Sequence, residues 1–153
     1  MHGFSIGGRS AATAATANHV GAALWNPATA RSLWVTQIGW SKTVATADQV
    51  GIVRISARGT AGSSITSGIQ SDAEGAVAPR SGAILDLAAY SVQPTLVSAT
   101  VYQFRWSLPA SIGSGFLLPL PDVWEVPAGQ GLALLTPPAT VLQPADVSFF
   151  WRE

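Results

Sequence analysis

The sequence predicts an all-β chain folded as a two-sheet antiparallel sandwich, and three observations carry that prediction. Short runs of alternating apolar and polar residues, rich in β-branched and aromatic side chains, recur along the chain. The 10 prolines and 15 glycines gather mainly between those runs, where a missing N–H or a sharp turn does no harm to a ladder. No segment shows the capped, amphipathic pattern of about 11 residues or more that marks a surface helix. At 153 residues the chain suits one domain able to bury a core without staples. It has no cysteine, so disulfides and thiolate metal sites are excluded.

Residues 1–18 (MHGFSIGGRSAATAATAN) are dominated by Gly, Ala, Ser and Thr and hold two bulky apolar side chains, Phe4 and Ile6. Such a segment buries too little to fold alone and is expected to be a flexible, extended N-terminal arm. Phe4, Ile6 and Arg9 are its candidate partner-binding residues. On this reading the arm is dispensable for folding, and residues 19–153 form a single sandwich domain.

Strands are expected at His19–Trp25, stopped by Asn26-Pro27, and at Leu33–Ser41, with Gly39 a possible bulge. In Gln49–Ala57 the alternation predicts Val53 and Ile55 inward and Arg54 outward. A long Gly/Ser loop follows from Arg58 to Gly82, either a projecting tip or the cover for a short strand around Ser64–Ile69. Ala83–Ser91 reads as a strand, with a short helix the alternative that its alanines allow. In Thr100–Ser107, Tyr102, Phe104 and Trp106 share one face, assigned to the core. Phe116–Leu120 and Val123–Val126 are separated by a Pro-Leu-Pro bend, and Pro127–Gly131 reads as a hairpin turn. Leu132–Thr136 is a compact apolar strand, and Asp146–Trp151 puts Val147, Phe149 and Trp151 on one face. Eight or nine short strands favour an eight-stranded jelly roll over an immunoglobulin fold.

Charged residues are 10% of the chain, against about 25% in an average soluble domain. Eight basic residues balance eight acidic ones to a net charge of zero. So neutral a surface favours association, and an obligate oligomer or lattice-bound protein is expected. The arginines are scattered singly, so no basic stripe is available to displace counterions from nucleic acid. No run approaches the roughly 20 apolar residues of a membrane helix, and the N-terminus lacks a signal-peptide pattern. A soluble chain that binds neither membrane nor nucleic acid is expected.

Catalytic chemistry has little to build on. His2 and His19 have no ligand partners at metal-site spacing, and no G-x-S-x-G elbow occurs. Asp72 and Glu74 provide two carboxylates where a calcium loop supplies three or more oxygen ligands at tight spacing. No catalytic, metal or cofactor-binding residue is therefore predicted, and the chain reads as a non-enzyme. Most of the six tryptophans fall in strands and serve packing. Trp124, on the Pro-bounded bend, is the candidate exposed aromatic, suited to a sugar or to a protein partner.

From residue 19 onward the chain resembles small jelly-roll proteins of tailed-bacteriophage virions. The resemblance rests on Leu24-Trp25-Asn26-Pro27, on Arg54 to Thr60 (R-x-S-x-x-G-T) and on Gln93-Pro94-Thr95. It continues through Val126 to Leu134 (V-P-A-G-x-G-L-A-L) and Val147 to Glu153 (V-S-F-x-W-R-E). It implies a capsid decoration (cement) or head-fibre protein, commonly a homotrimer on the capsid surface, contacting the major capsid protein and using no cofactor. The alternative is a tail or fibre module that binds host-surface glycans through exposed aromatics.

Overall fold

The computed structural model describes residues 2–11, 19–27, 31–72, 79, 81–137 and 143–153. They form two antiparallel sheets packed face to face, with no helix among the described residues. The strands are β1 (Gly3–Ser10), β2 (Val20–Asn26), β3 (Leu33–Lys42), β4 (Asp48–Ala57), β5 (Ser63–Ile65), β6 (Gln70–Ser71), β7 (Ile84–Leu87), β8 (Thr95–Leu96), β9 (Phe104–Leu108), β10 (Gly115–Val126), β11 (Gln130–Leu135) and β12 (Ala145–Arg152). Sheet I has the order β10-β3-β12-β1-β6. Sheet II runs β5-β7-β2-β11-β4, and β9 and β8 share the remaining edge of β4. The four shortest strands, β5 to β8, all lie in the segment between β4 and β9.

The two sheets solve burial differently. In sheet I the pleat separates a buried face from a solvent face, and β1 and β12 alternate accordingly. Val147, Phe149 and Trp151 point between the sheets and are buried. They pack with Leu33, Val35, Ile38 and Trp40 of β3 and with Leu24, Ile52, Leu132 and Leu134 of sheet II. In sheet II, β2, β11 and β4 are buried almost continuously. Their second face carries Val20, Ala23, Val53, Ile55, Ala133 and Leu135, roofed by Ala88, Tyr90, Leu96 and Tyr102 from the β4–β9 segment. Val53 and Ile55 are thus buried as expected, but under that roof. Arg54 lies on the opposite face and donates from Nη1 to the carbonyl of Glu125 at 2.7 Å.

The expected N-terminal arm is not an arm over residues 3–10; residues 12–18 lie outside the described residues. β1 pairs with β12 along its whole length, from Gly3↔Arg152 to Ser10↔Ala145. Phe4 and Ile6 are buried in the main core, and the Phe4 ring stacks on Trp151 at 5.8 Å. The physical reason is that β12, apolar on one face, has two edges to satisfy. One edge takes β3 and the other takes β1.

Other expectations shift in detail. The Arg58–Gly82 loop contains β5, on the edge of sheet II, and β6, on the edge of sheet I. The two segments around the Pro-Leu-Pro bend are one strand, β10, whose register with β3 breaks between Pro119 and Trp124. The turn before β11 is not a hairpin, because it joins strands of different sheets. Gly129 there has φ +73°, and the Gln130 N–H donates to the Pro127 carbonyl at 3.2 Å, so glycine meets a backbone requirement. Asn26 holds the neighbouring corner, its Nδ2 donating to the carbonyls of Arg31 and Val126 at 2.9 Å each.

Since Phe4 and Ile6 belong to the core, Phe4→Ala is expected to cost about 3–5 kcal/mol of stability and Ile6→Ala about 2–5 kcal/mol. Urea denaturation measures both; losses below about 1 kcal/mol for the pair would show that β1 is not part of the folded unit.

Candidate interaction surface

The four residues singled out from sequence do not converge on one site. Phe4 and Ile6 are buried. Arg9 lies on the solvent side of β1 and chelates Asp146 through Nε and Nη2, at 2.7 and 3.0 Å. The hydrogen bond raises the Arg9 pKa and lowers that of Asp146. With side chains 67% and 53% exposed, the pair is screened and adds little to stability. Trp124 is half-buried rather than free, packed on the main core and stacked against Phe104 at 6.2 Å.

The buried polar groups act as pins. Lys42, the only lysine, is buried at the end of β3. Its Nζ donates to the carbonyl of Thr46 and, at 2.6 Å, to that of Pro109, holding two loops to one end of the sandwich. Asp48 nearby accepts the Gln49 N–H at 2.8 Å. Burial pushes its carboxyl up, against the opposing pull of two backbone N–H groups and the Lys42 charge. On the roofed side of sheet II, Arg58 grips buried Asp86 at 2.6 and 2.7 Å, and Ser64 Oγ donates to the same carboxylate at 2.5 Å. That network fastens the start of the β4–β9 segment across β7. Tyr90 is buried beside it, and burial drives its hydroxyl pKa strongly upward.

His19 Nε2 lies 2.9 Å from Gln93 Nε2, while Gln93 Oε1 accepts the Val20 N–H at 2.9 Å. Burial lowers the His19 pKa. Among the described residues no three His, Asp or Glu side chains converge.

With sheet II covered, the outer face of sheet I is the broad free surface among the described residues, and strand register lays it out in rows. One row is Glu125, Trp34, Arg152 and Gly3; the next is Pro119, Gln37, Phe150, Ser5 and Gln70. Leu117, Gly39, Ser148 and Gly7 follow, then Gly115, Ser41, Asp146 and Arg9. Glycines and serines make the middle low. Shallow depressions open there, the one beside β6 holding about 310 Å³.

The flank beside this face is apolar. Phe104 and Trp106 of β9 stack at 5.1 Å, and Trp106 stacks on Phe116 of β10 at 4.0 Å, so an aromatic ladder closes the sandwich from sheet II to sheet I. Tyr102, Phe104 and Trp106 were expected to share a core face. Instead Tyr102 helps roof sheet II, Trp106 seals the flank, and Phe104 is 44% exposed. Of the seven exposed large apolar side chains among the described residues, five (Val101, Phe104, Ile112, Leu117 and Val123) fall on β9, on β10 or next to them. Among the described residues the outer edge of β10 has no partner strand, and Pro119 and Pro121 remove two of its donors.

Sequence reasoning missed Phe104, Leu117 and Phe150 as surface residues. A signal was available for Phe150: it stands out of phase with Val147, Phe149 and Trp151, on the face that alternation gives to solvent. In comparisons with known proteins, no family model, curated protein or solved structure matches the chain.

Arg58→Ala leaves the buried Asp86 carboxylate without its counter-charge, held only by Ser64, and is expected to cost about 3 kcal/mol, whereas Arg58→Met with Asp86→Leu recovers most of the loss. Thermal and urea unfolding of the three chains decides it; equal losses in the single and double variants would count against the pinning role. For Asp48 the sign follows from a raised folded-state pKa: its contribution is complete below the ordinary 3.8 and is lost as pH rises through the raised value. Asp48→Asn keeps an acceptor for Gln49 and removes the buried charge. The variant is therefore expected to gain on the parent in stability from acidic to neutral pH, and a constant difference would contradict that.

Proposed function

We propose that the chain is a non-enzymatic structural protein of a bacteriophage virion, a capsid decoration or cement protein that works as a homotrimer on the head shell. The observation that carries the reading is the strip of exposed apolar side chains along β9 and β10, on a chain with so few charges. Such a strip suits a subunit contact made by shape and apolar burial. We place the trimer contact there, through Phe104, Ile112, Leu117 and Val123.

A jelly roll is the fold proposed within the sandwich, and the pairing order supports it. Among the described residues eight strands have five residues or more, and they pair in nested fashion: β1 with β12, β2 with β11, β3 with β10 and β4 with β9. That is the pattern of one long antiparallel ribbon wound over itself into two sheets. The shell contact cannot run through Phe4 and Ile6, which are occupied in the core.

Light scattering on a size-exclusion peak is expected to give a trimer that persists from low to moderate salt. Leu117→Asp combined with Val123→Asp is expected to give a folded monomer. A monomeric parent at micromolar concentration overturns the trimer contact. Mass spectrometry of gradient-purified particles from the phage carrying this gene tests the rest: the chain is expected in the particles, and its absence overturns the virion assignment.

A further inference from the structure

The depression of about 310 Å³ on the outer face of sheet I is built differently from its surroundings. Its lining includes Phe150, which register places between Ser5 of β1 and Gln37 of β3. β6 supplies one wall with Gln70 and Ser71, continued by Asp72, while Thr36 and Arg152 complete the rim. Thr36 is the extra residue where β3 slips its register against β12, and its Oγ1 donates to the Phe150 carbonyl at 3.3 Å.

Gly3 lets the wall close in. A Cβ there would stand 2.4 Å from Asp72 Oδ2, so only glycine admits the carboxylate at this distance without rearrangement. Asp72 Oδ1 in turn accepts the Gly3 N–H at 2.7 Å, which fixes the carboxylate beside the depression.

These groups make a chemically specific set. An aromatic side chain lies among a carboxylate acceptor, a guanidinium donor, an amide that does both, and the three hydroxyls of Ser5, Thr36 and Ser71. A pyranose ring presents the matching features: a face of C–H groups that rests on an aromatic ring and a rim of hydroxyls that both donate and accept. One acid and one base leave no net charge, so the field favours neither an anionic nor a cationic ligand. The volume of about 310 Å³ is at the lower end of the roughly 300–1,000 Å³ of small-ligand sites, enough for a single ring.

We propose that this depression is a binding site for one pyranose ring of a neutral glycan, with Phe150 as the stacking platform and Asp72, Gln70 and Arg152 holding the hydroxyls. The site is separate from the β9–β10 flank and from Trp124, and it stands whether the chain is a monomer or a trimer.

The test is an amide-resolved NMR titration of the full chain with methyl β-galactoside, methyl α-glucoside and N-acetylglucosamine, each in the millimolar range. At least one sugar is expected to give saturable shifts confined to residues 3–5, 70–72 and 150–152. Phe150→Ala and Arg152→Gln are each expected to weaken that sugar about tenfold. Arg152 is exposed, so its variant carries the test should Phe150→Ala disturb the fold. Saturation with none of the three sugars overturns the proposal. So do shifts that map to Trp34 or to the β9–β10 flank, and shifts that survive both substitutions. Tighter binding of N-acetylneuraminic acid than of any neutral sugar overturns the neutral assignment.

Discussion

β12 lies third of five in sheet I with an apolar face that must be covered and two backbone edges that must be paired. Its buried side chains, Val147, Phe149 and Trp151, include two of the largest in the core. Its edges are met by β3 on one side and β1 on the other. Neither neighbour is local: the Arg9–Asp146 bond spans 137 positions of sequence. The main core is therefore complete only when the two ends of the chain have met. A fold with so many long-range pairings pays its loop-closure entropy early and collects the compensating contacts late, which places it among the slower-folding topologies.

From that arrangement follows an asymmetry between the sheets. The nested pairing leaves one long excursion, between β4 and β9; β6 joins sheet I, and Ala88, Tyr90, Leu96 and Tyr102 of that segment pack over sheet II. Arg58, Asp86 and Ser64 fasten its start, and Tyr90, Leu96 and Tyr102 fill in over Val53 and Ile55. Among the described residues, the central strands of sheet II are covered on both faces. The broad surfaces left among the described residues are the outer face of sheet I and the aromatic flank.

Much of this was readable in the residues, and the failures have physical causes. The period-2 pattern of Val147, Phe149 and Trp151, the Asn26-Pro27 stop and the proline-bounded corners all mark features that the fold contains. β1 was hidden because its middle is Gly7-Gly8. Gly8 faces Ile65 and Leu87, whose methyls would stand 2.8 and 2.9 Å from a Cβ, so a tertiary neighbour chose the residue that strand propensity penalises. Trp124 was misjudged because Pro119 and Pro121 look like a turn, whereas on an edge strand they only interrupt a register. In the depression on sheet I, Phe150 was visible as an out-of-phase aromatic. Asp72 was not, since its approach to Gly3 depends on β6 leaving the insert to join the opposite sheet.

The meeting of the ends has a mechanical meaning as well. His2 and Glu153 exchange two backbone bonds of 3.1 Å, and Gly3 lies opposite Arg152 at the same end of an antiparallel ladder. Tension applied across the two termini would load the β1·β12 bonds one after another, as a zipper is opened, rather than all together in shear. Resistance to pulling in that direction is thus set by one or two hydrogen bonds at a time, and the core behind Phe4 opens once they part. A tether on both ends would peel this domain at low force, while force entering through the sheet faces or the aromatic flank would meet the whole sandwich at once.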